Sequence, residues 1–241
     1  MVEQVIKVRN LKFSYPGGIQ ALCGVDFDLF PSETVAVFGA NGSGKTTFVL
    51  HLNGLLSGEG LVEVCGLPVR KETLPVVRRK VGMVFQDPDS QLFMPSVLED
   101  VAFGPLNLGL DRNEALERAA YYLRLVGMEQ AALRPPYQLS SGEKRRVAIA
   151  GVLAMEPEVL VLDEPTTFLD PPGQRELILL LARLPQAKVI VTHNAVFAGQ
   201  LAGRAVFFEK GKITAEGNPL ALAGKLDWQL NRTPQPERGD R

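Results

Sequence analysis

The sequence predicts an α/β fold. A mostly parallel core sheet is covered by helices, preceded by an N-terminal antiparallel β subdomain and interrupted by an inserted α-helical subdomain. Three observations predict it. Short continuous apolar runs, such as Val159-Leu-Val-Leu162 and Val189-Ile-Val191, alternate with helical stretches in the second half. The first thirty residues instead alternate polar and apolar positions around the turn Tyr15-Pro-Gly-Gly18. Between about 87 and 155 the signals are helix starts and breaks. With 241 residues, 46% of them hydrophobic, the chain suits one large domain over 1–228 that holds the insertion.

The elements follow in order. Val5, Lys7 and Arg9 mark one strand, and Leu22 through Leu29, broken by Asp26 and Asp28, marks its antiparallel neighbour. Thr34–Phe38 is an apolar strand and Thr46–Leu52 a helix; Val81–Phe85 is the next strand. Ser96-Val-Leu-Glu99 reads as a capping box opening a short helix, and Asp111-Arg-Asn-Glu114 opens another that ends at Gly127. Pro135-Pro136 breaks the chain before Ser140-Ser-Gly-Glu143, which launches a helix to Ala154. Strand 159–162, helix 173–184, strand 189–191, helix 195–202 and strand 205–209 complete the core, and Lys210-Gly211 predicts a final hairpin. Residues 229–241 read as a disordered tail.

Composition narrows the function. A net charge of −1 argues against an extended basic footprint for nucleic acid. Cys23 and Cys65 are too few and too isolated for a disulfide framework or zinc site, which points to a reducing compartment and to two small buried side chains. The first residues alternate like a strand rather than a secretory leader. No run approaches the ~20 apolar residues of a membrane-spanning helix, so work at a membrane would need other chains.

Two motifs carry the first chemistry. Gly39-Ala-Asn-Gly-Ser-Gly-Lys-Thr46 fits the phosphate-loop pattern G-x-x-x-x-G-K-[ST], with a strand before it and a helix after it. Its glycines let successive backbone N–H groups turn toward one anion, and the helix start faces the same charge. Gly39, Asn41, Gly42, Ser43, Gly44, Lys45, Thr46 and Thr47 are therefore the candidate nucleotide-binding residues. Lys45 would reach the β- and γ-phosphates and the Thr46 hydroxyl would hold Mg²⁺. The strand ending in Asp163-Glu164 supplies the second motif: Asp163 can hold Mg²⁺ through its waters, and Glu164 can polarise or deprotonate an attacking water.

The third motif is Leu139-Ser140-Ser141-Gly142-Glu143. It is similar to the L-S-G-G-Q signature of the ATP-binding cassette (ABC) family. Nearly the whole chain resembles that family in order: Tyr15, the phosphate loop, Gln86, the signature, Asp163-Glu164 and His193. The resemblance implies that Tyr15 stacks on adenine and that Gln86 touches Mg²⁺ and the water while sensing a membrane partner. It implies that His193 contacts the γ-phosphate and orients Glu164. Ser140, Ser141, Gly142 and Glu143 would form a second anion-binding surface at a helix start, facing the γ-phosphate held by a partner subunit. Asp170 matches an aspartate that crosses between subunits, with a helix N-cap before Pro171-Pro172 as the rival reading. His51 reads as a satisfied packing residue. Ser141, Glu143, Phe168 and Asn194 depart from the family pattern, and none removes a group the reaction requires.

Phe85–Ser96 and Glu99–Gly109 resemble the ATPases of energy-coupling-factor importers, including cobalt, nickel and vitamin systems. That implies an extra short helix beginning at Gln91-Leu92-Phe93 and a groove for a transmembrane coupling protein contacted through Gln86–Phe93. It also implies ATP and Mg²⁺ as cofactors, a peripheral place on the cytoplasmic face of the membrane, and a homodimer or a heterodimer with a related ATPase. Alternatives are another ABC transporter class or a soluble cassette acting on nucleic acid or ribosomes. Relatives of the last kind carry long coiled coils or two cassettes, and this sequence has neither.

Overall fold

The N-terminal alternation builds an antiparallel sheet. In the computed structural model, which describes residues 3–226, β1 (Ile6–Ser14) pairs with β2 (Gln20–Leu29) across the predicted turn. β3 (Thr34–Gly39) then runs into the phosphate loop and α1 (Lys45–Leu52). β4 (Glu59–Val64) and the two-residue β5 (Leu67–Pro68) extend the first sheet to the order β2-β1-β4-β5, and α2 (Leu74–Lys80) leads into β6 (Val81–Val84). The sequence reading leaves β4, β5 and α2 unassigned. β4 is half-exposed without a clean alternation, and α2 is seven residues long with proline in its first turn.

Past β6 the chain makes a 3₁₀ turn, Pro88–Ser90, and three helices: α3 (Val97–Asn107), α4 (Arg112–Leu125) and α5 (Ser141–Leu153). β7 (Val159–Asp163) nevertheless lies beside β6, in parallel. α6 (Pro171–Arg183), β8 (Ala187–Val191), α7 (Ala195–Leu201), β9 (Arg204–Glu209), β10 (Lys212–Gly217) and a further unassigned helix, α8 (Pro219–Lys225), complete the described chain. The second sheet has the order β10-β9-β3-β8-β7-β6, parallel except for the edge strand β10. Lys210 and Gly211 both have positive φ, 48° and 75°, as a tight hairpin turn requires. The expected tail, 229–241, lies outside the described residues.

β3, β7 and β8 are buried almost throughout, because both faces of the parallel sheet are covered. One core joins α1 to both sheets through Phe48, Leu52, Ile6 and Val37; another joins the helical stretch to β7 through Leu123, Ile149, Leu160 and Leu162. Register sets Asp163 opposite Val191, and Val191 opposite Val37. The C-terminal ends of β3, β7 and β8 thus meet at one crevice, where open parallel sheets bind ligands.

Some local expectations are corrected. No helix begins at Gln91: the 3₁₀ turn precedes it and Gln91 ends it. The Gln91 amide instead accepts the Phe85 N–H and donates to the Met83 carbonyl (2.9 and 3.0 Å), while Asp100 accepts the Phe93 and Met94 N–H groups. Ser96 caps α3, but Glu99 accepts the Ser96 hydroxyl, not its N–H. Neither cysteine is fully buried, and the Cys65 thiol donates to Glu158. His51 is buried and bonded at Nδ1, to the Thr47 carbonyl at 2.7 Å; its Nε2 has no hydrogen-bond partner among the described residues.

Candidate active site

The phosphate loop fits its place only with glycine. A Cβ on Gly39 would lie 2.3 Å from the Phe208 carbonyl oxygen, and one on Gly44, at φ 108°, would lie 2.6 Å from that of Ala21. The loop therefore packs on β9 and β2 by bare backbone, leaving its other side open. Lys45 is 6% exposed, and its Nζ donates to the carbonyls of Gly39 and Ala40 at 2.7 and 2.9 Å. Burial lowers its pKa, while Glu164 and Asp163 oppose that shift. The buried Ser43 hydroxyl has no partner among the described residues.

At the end of β7, the Thr46 hydroxyl donates to Asp163 Oδ2 at 3.1 Å. Burial pushes the Asp163 carboxyl upward against that hydrogen bond and the Lys45 charge. A hydroxyl and one carboxylate beside a phosphate loop fit Mg²⁺, which takes oxygen ligands and shares the rest of its sphere with phosphate and water. The described residues contain no cluster of three or more His, Cys, Asp or Glu able to hold a metal by themselves, and that donor set requires none.

Glu164 adopts φ 45°, rare for a side chain of its size, and its N–H donates to the Val191 carbonyl at 2.9 Å. Burial drives its carboxyl to about 7, despite the His193 backbone N–H that points at Oε2. His193 Nε2 lies 3.0 Å from Glu164 Oε1. Burial and then Lys45 lower the imidazole pKa.

A cleft of about 640 Å³ brings together Tyr15, Asn41, Gly42, Gly44, Lys45, Thr46, Thr47, Gln86, Asp163, Glu164 and His193. Gly39 and Ser43 belong to its loop without lining it. Tyr15 meets Phe13 edge-on at 4.9 Å, and its hydroxyl lies 3.1 Å from that of Thr47. Ser140, Ser141, Gly142 and Glu143 are absent from this cleft. They form the start of α5, where Ser140 and Glu143 close a complete capping box. Ser141 is the first helical residue, a conformation that tolerates its side chain. A Cβ on Gly142 would meet only Leu169, at an ordinary 3.5 Å, so packing within this chain does not demand glycine there. Asp170 caps α6 by accepting the Gly173 N–H at 2.9 Å, and Asn194 caps α7 through the Phe197 N–H.

Sequence reasoning missed Arg145. It is 1% exposed and donates to the carbonyls of Phe85 and Gln86, each at 2.5 Å. Lys144 pairs with Asp89 at 2.6 Å on the far side of the same loop. α5 therefore grips the Gln86 segment at two points. The only hint was a three-cation run, Lys144-Arg145-Arg146, in a helix whose other residues are largely apolar.

Comparison with known proteins places the fold in a family. Residues 22–167 match the ABC transporter family model. A protein named as an ABC transporter ATP-binding protein in Geobacter sulfurreducens is 50% identical over 93% of this chain and 90% of its own length. An energy-coupling factor transporter ATP-binding protein of Methanothermobacter thermautotrophicus is 47% identical over 90% of this chain and 72% of its own. Among solved structures, cbiO1 of Clostridium perfringens, part of the ABC transporter complex cbiONQ, superposes with a TM-score of 0.84 at 36% identity, covering 93% of this chain and 92% of that one. The dimeric cassette MJ0796, bound to ADP and Pi in a post-hydrolysis state, gives 0.80 at 30% identity, covering 89% and 98%. With its phosphate loop, Asp163-Glu164 strand end and signature helix carried on that fold, the chain belongs to the ABC transporter family as one of its ATP-hydrolysing cassettes.

Proposed function

We propose that the chain is the ATP-hydrolysing subunit of an energy-coupling-factor importer for a cobalt or nickel ion or a vitamin. It would work as a homodimer or a heterodimer on the cytoplasmic face of the membrane, against a transmembrane coupling protein. The relative named as an energy-coupling factor subunit and the cbiO1 likeness support this branch. No helix among the described residues is long and apolar enough to cross a membrane, consistent with a separate membrane chain. The cargo would be selected by that membrane machinery.

One observation carries the reading. The groups for hydrolysis line one cleft, whereas the signature residues Ser140–Glu143 lie outside it. A two-fold pair would bring each signature over the other copy's nucleotide, giving two complete sites from one interface. In such a site Lys45 and the loop N–H groups would take phosphate charge, Tyr15 the base, and Thr46, Asp163 and Gln86 the Mg²⁺ that neutralises the phosphates. Glu164 would accept a proton from the attacking water as oxygen bonds to the γ-phosphorus and the bridging bond to ADP breaks. His193 would hold Glu164 and touch the γ-phosphate. Glu164→Gln is expected to bind ATP normally, lose hydrolysis by at least ~100-fold, and accumulate as an ATP-bound dimer. Near-normal turnover in that variant would remove Glu164 from this role.

A further inference from the structure

We propose that Arg134 is a positioning residue that neutralises Glu143, keeping the start of α5 attractive to the terminal phosphate of a nucleotide held by a second copy of this chain. The inference rests on the shared-site reading above. Its starting point is a conflict built into this sequence. Glu143 stands at the third position of α5, where its Oε2 accepts the Ser140 N–H at 2.7 Å and Ser140 Oγ accepts the Glu143 N–H at 3.3 Å. An anion there suits the helix dipole but repels an approaching phosphate. Glutamine would close the same capping box without charge. The Ser140 hydrogen bonds, with Arg134 and Arg146 nearby, hold the Glu143 carboxyl below its usual range, so it is charged at neutral pH.

Arg134 resolves the conflict without breaking the cap. Its Nη1 stands 3.6 Å from Glu143 Oε1, and its Nη2 donates to the Gln138 carbonyl at 2.7 Å, strapping the side chain across the loop before α5. Its backbone is fixed as well: its N–H donates to the Ala131 carbonyl, and its own carbonyl accepts the Val97 N–H at the start of α3. The pair is partly exposed, so it adds little to folding stability. Its consequence falls on an anion that approaches the helix start.

The test uses the full chain carrying Glu164→Gln, with ATP and Mg²⁺, and reads the dimer dissociation constant by sedimentation. Adding Arg134→Ala should raise that constant about ten-fold at low salt, because the lost cation counts at both sites of the pair. High salt should shrink the effect below about two-fold. Arg134→Lys, which keeps the charge, should stay close to the parent. In a Glu143→Gln background, Arg134→Ala should change the constant less than about two-fold, because no anion remains to be balanced. An equal loss with and without Glu143→Gln would show Arg134 acting only through the Gln138 loop and would overturn the inference. So would no loss at low salt. A parent that remains single in ATP would overturn the shared-site reading, and this inference with it.

Discussion

At the scale of single residues, Glu164 is the most heavily perturbed group in the cleft, and the perturbation has a sign. Burial raises its carboxyl from 4.5 to about 7, so it binds its proton more tightly in the folded chain than in the unfolded one. The contribution of Glu164 to folding stability is then fully present at low pH and is lost as pH rises from about 4.5 to 7, where only the unfolded chain has ionised. Glu164→Gln should therefore be more stable than the parent above pH 7, by on the order of 2 kcal/mol in denaturant unfolding. The proposed role of Glu164 runs the other way, since only the carboxylate accepts a proton. The kcat/KM for ATP, which reports the free chain, should climb through pH 7 in the parent, and a flat profile there would separate Glu164 from the chemistry. Tyr15 tests the proposed stacking surface for the base. Tyr15→Ala should weaken nucleotide binding by ~1–2 kcal/mol. Tyr15→Phe, which loses only the contact with the Thr47 hydroxyl, should cost no more than ~0.5 kcal/mol. Calorimetric titration with a slowly hydrolysed nucleotide distinguishes the two.

At the scale of elements, α5 does more than present a signature. Its Arg145 is a buried cation whose partners are two carbonyls rather than a carboxylate, which ties the Gln86 segment to the helix. Arg145→Met should leave both carbonyls unsatisfied and cost about 3 kcal/mol of stability in denaturant unfolding, an order-of-magnitude sum of two lost charge-assisted bonds. A change under ~0.5 kcal/mol would mean that water replaces the guanidinium freely. This contact also marks where sequence reading stops. Elements with strong local signals were legible: the apolar strands β3, β7 and β8, the Ser140 capping box, and a phosphate loop whose glycines answer close backbone approaches. Arg145 was not, because the Lys144-Arg145-Arg146 run does not say which of its members will be buried, nor that its partners are carbonyls sixty positions away in chain order. The misplaced helix at Gln91 has the same cause. Gln91 spends its amide on Met83 and Phe85 across the loop, and Asp100 takes the next free N–H groups, so tertiary bonds satisfy backbone that a helix would otherwise use. β4 and α2 escaped for want of periodicity rather than for a wrong one.

At the scale of the whole molecule, the surface proposed for a membrane partner lies away from the cleft. α2, α3 and α5 enclose a groove of about 330 Å³ that includes Phe93, Phe103, Leu92 and Met155, with Arg78 and Arg79 on its edge. Phe93 and Phe103 meet edge-on at 5.0 Å yet stay 63% and 39% exposed, which spends two aromatic side chains on solvent unless something covers them. Arg145 and Lys144 fasten the Gln86 segment to α5, one wall of that groove, so a body seated there would bear on a segment that also lines the proposed nucleotide cleft. Phe93→Ser tests this at the level of the assembly. Removing an exposed ring should change folding stability by less than about 0.5 kcal/mol, and nucleotide-driven dimerisation should stay within about two-fold, because no part of Phe93 enters the ATP cleft. Capture of the coexpressed membrane coupling protein, measured by co-purification in detergent, should drop at least about ten-fold, the scale of one central aromatic anchor. Undiminished capture would move the docking surface off this groove. A parallel loss of dimerisation would show instead that the groove and the nucleotide interface are not separable surfaces.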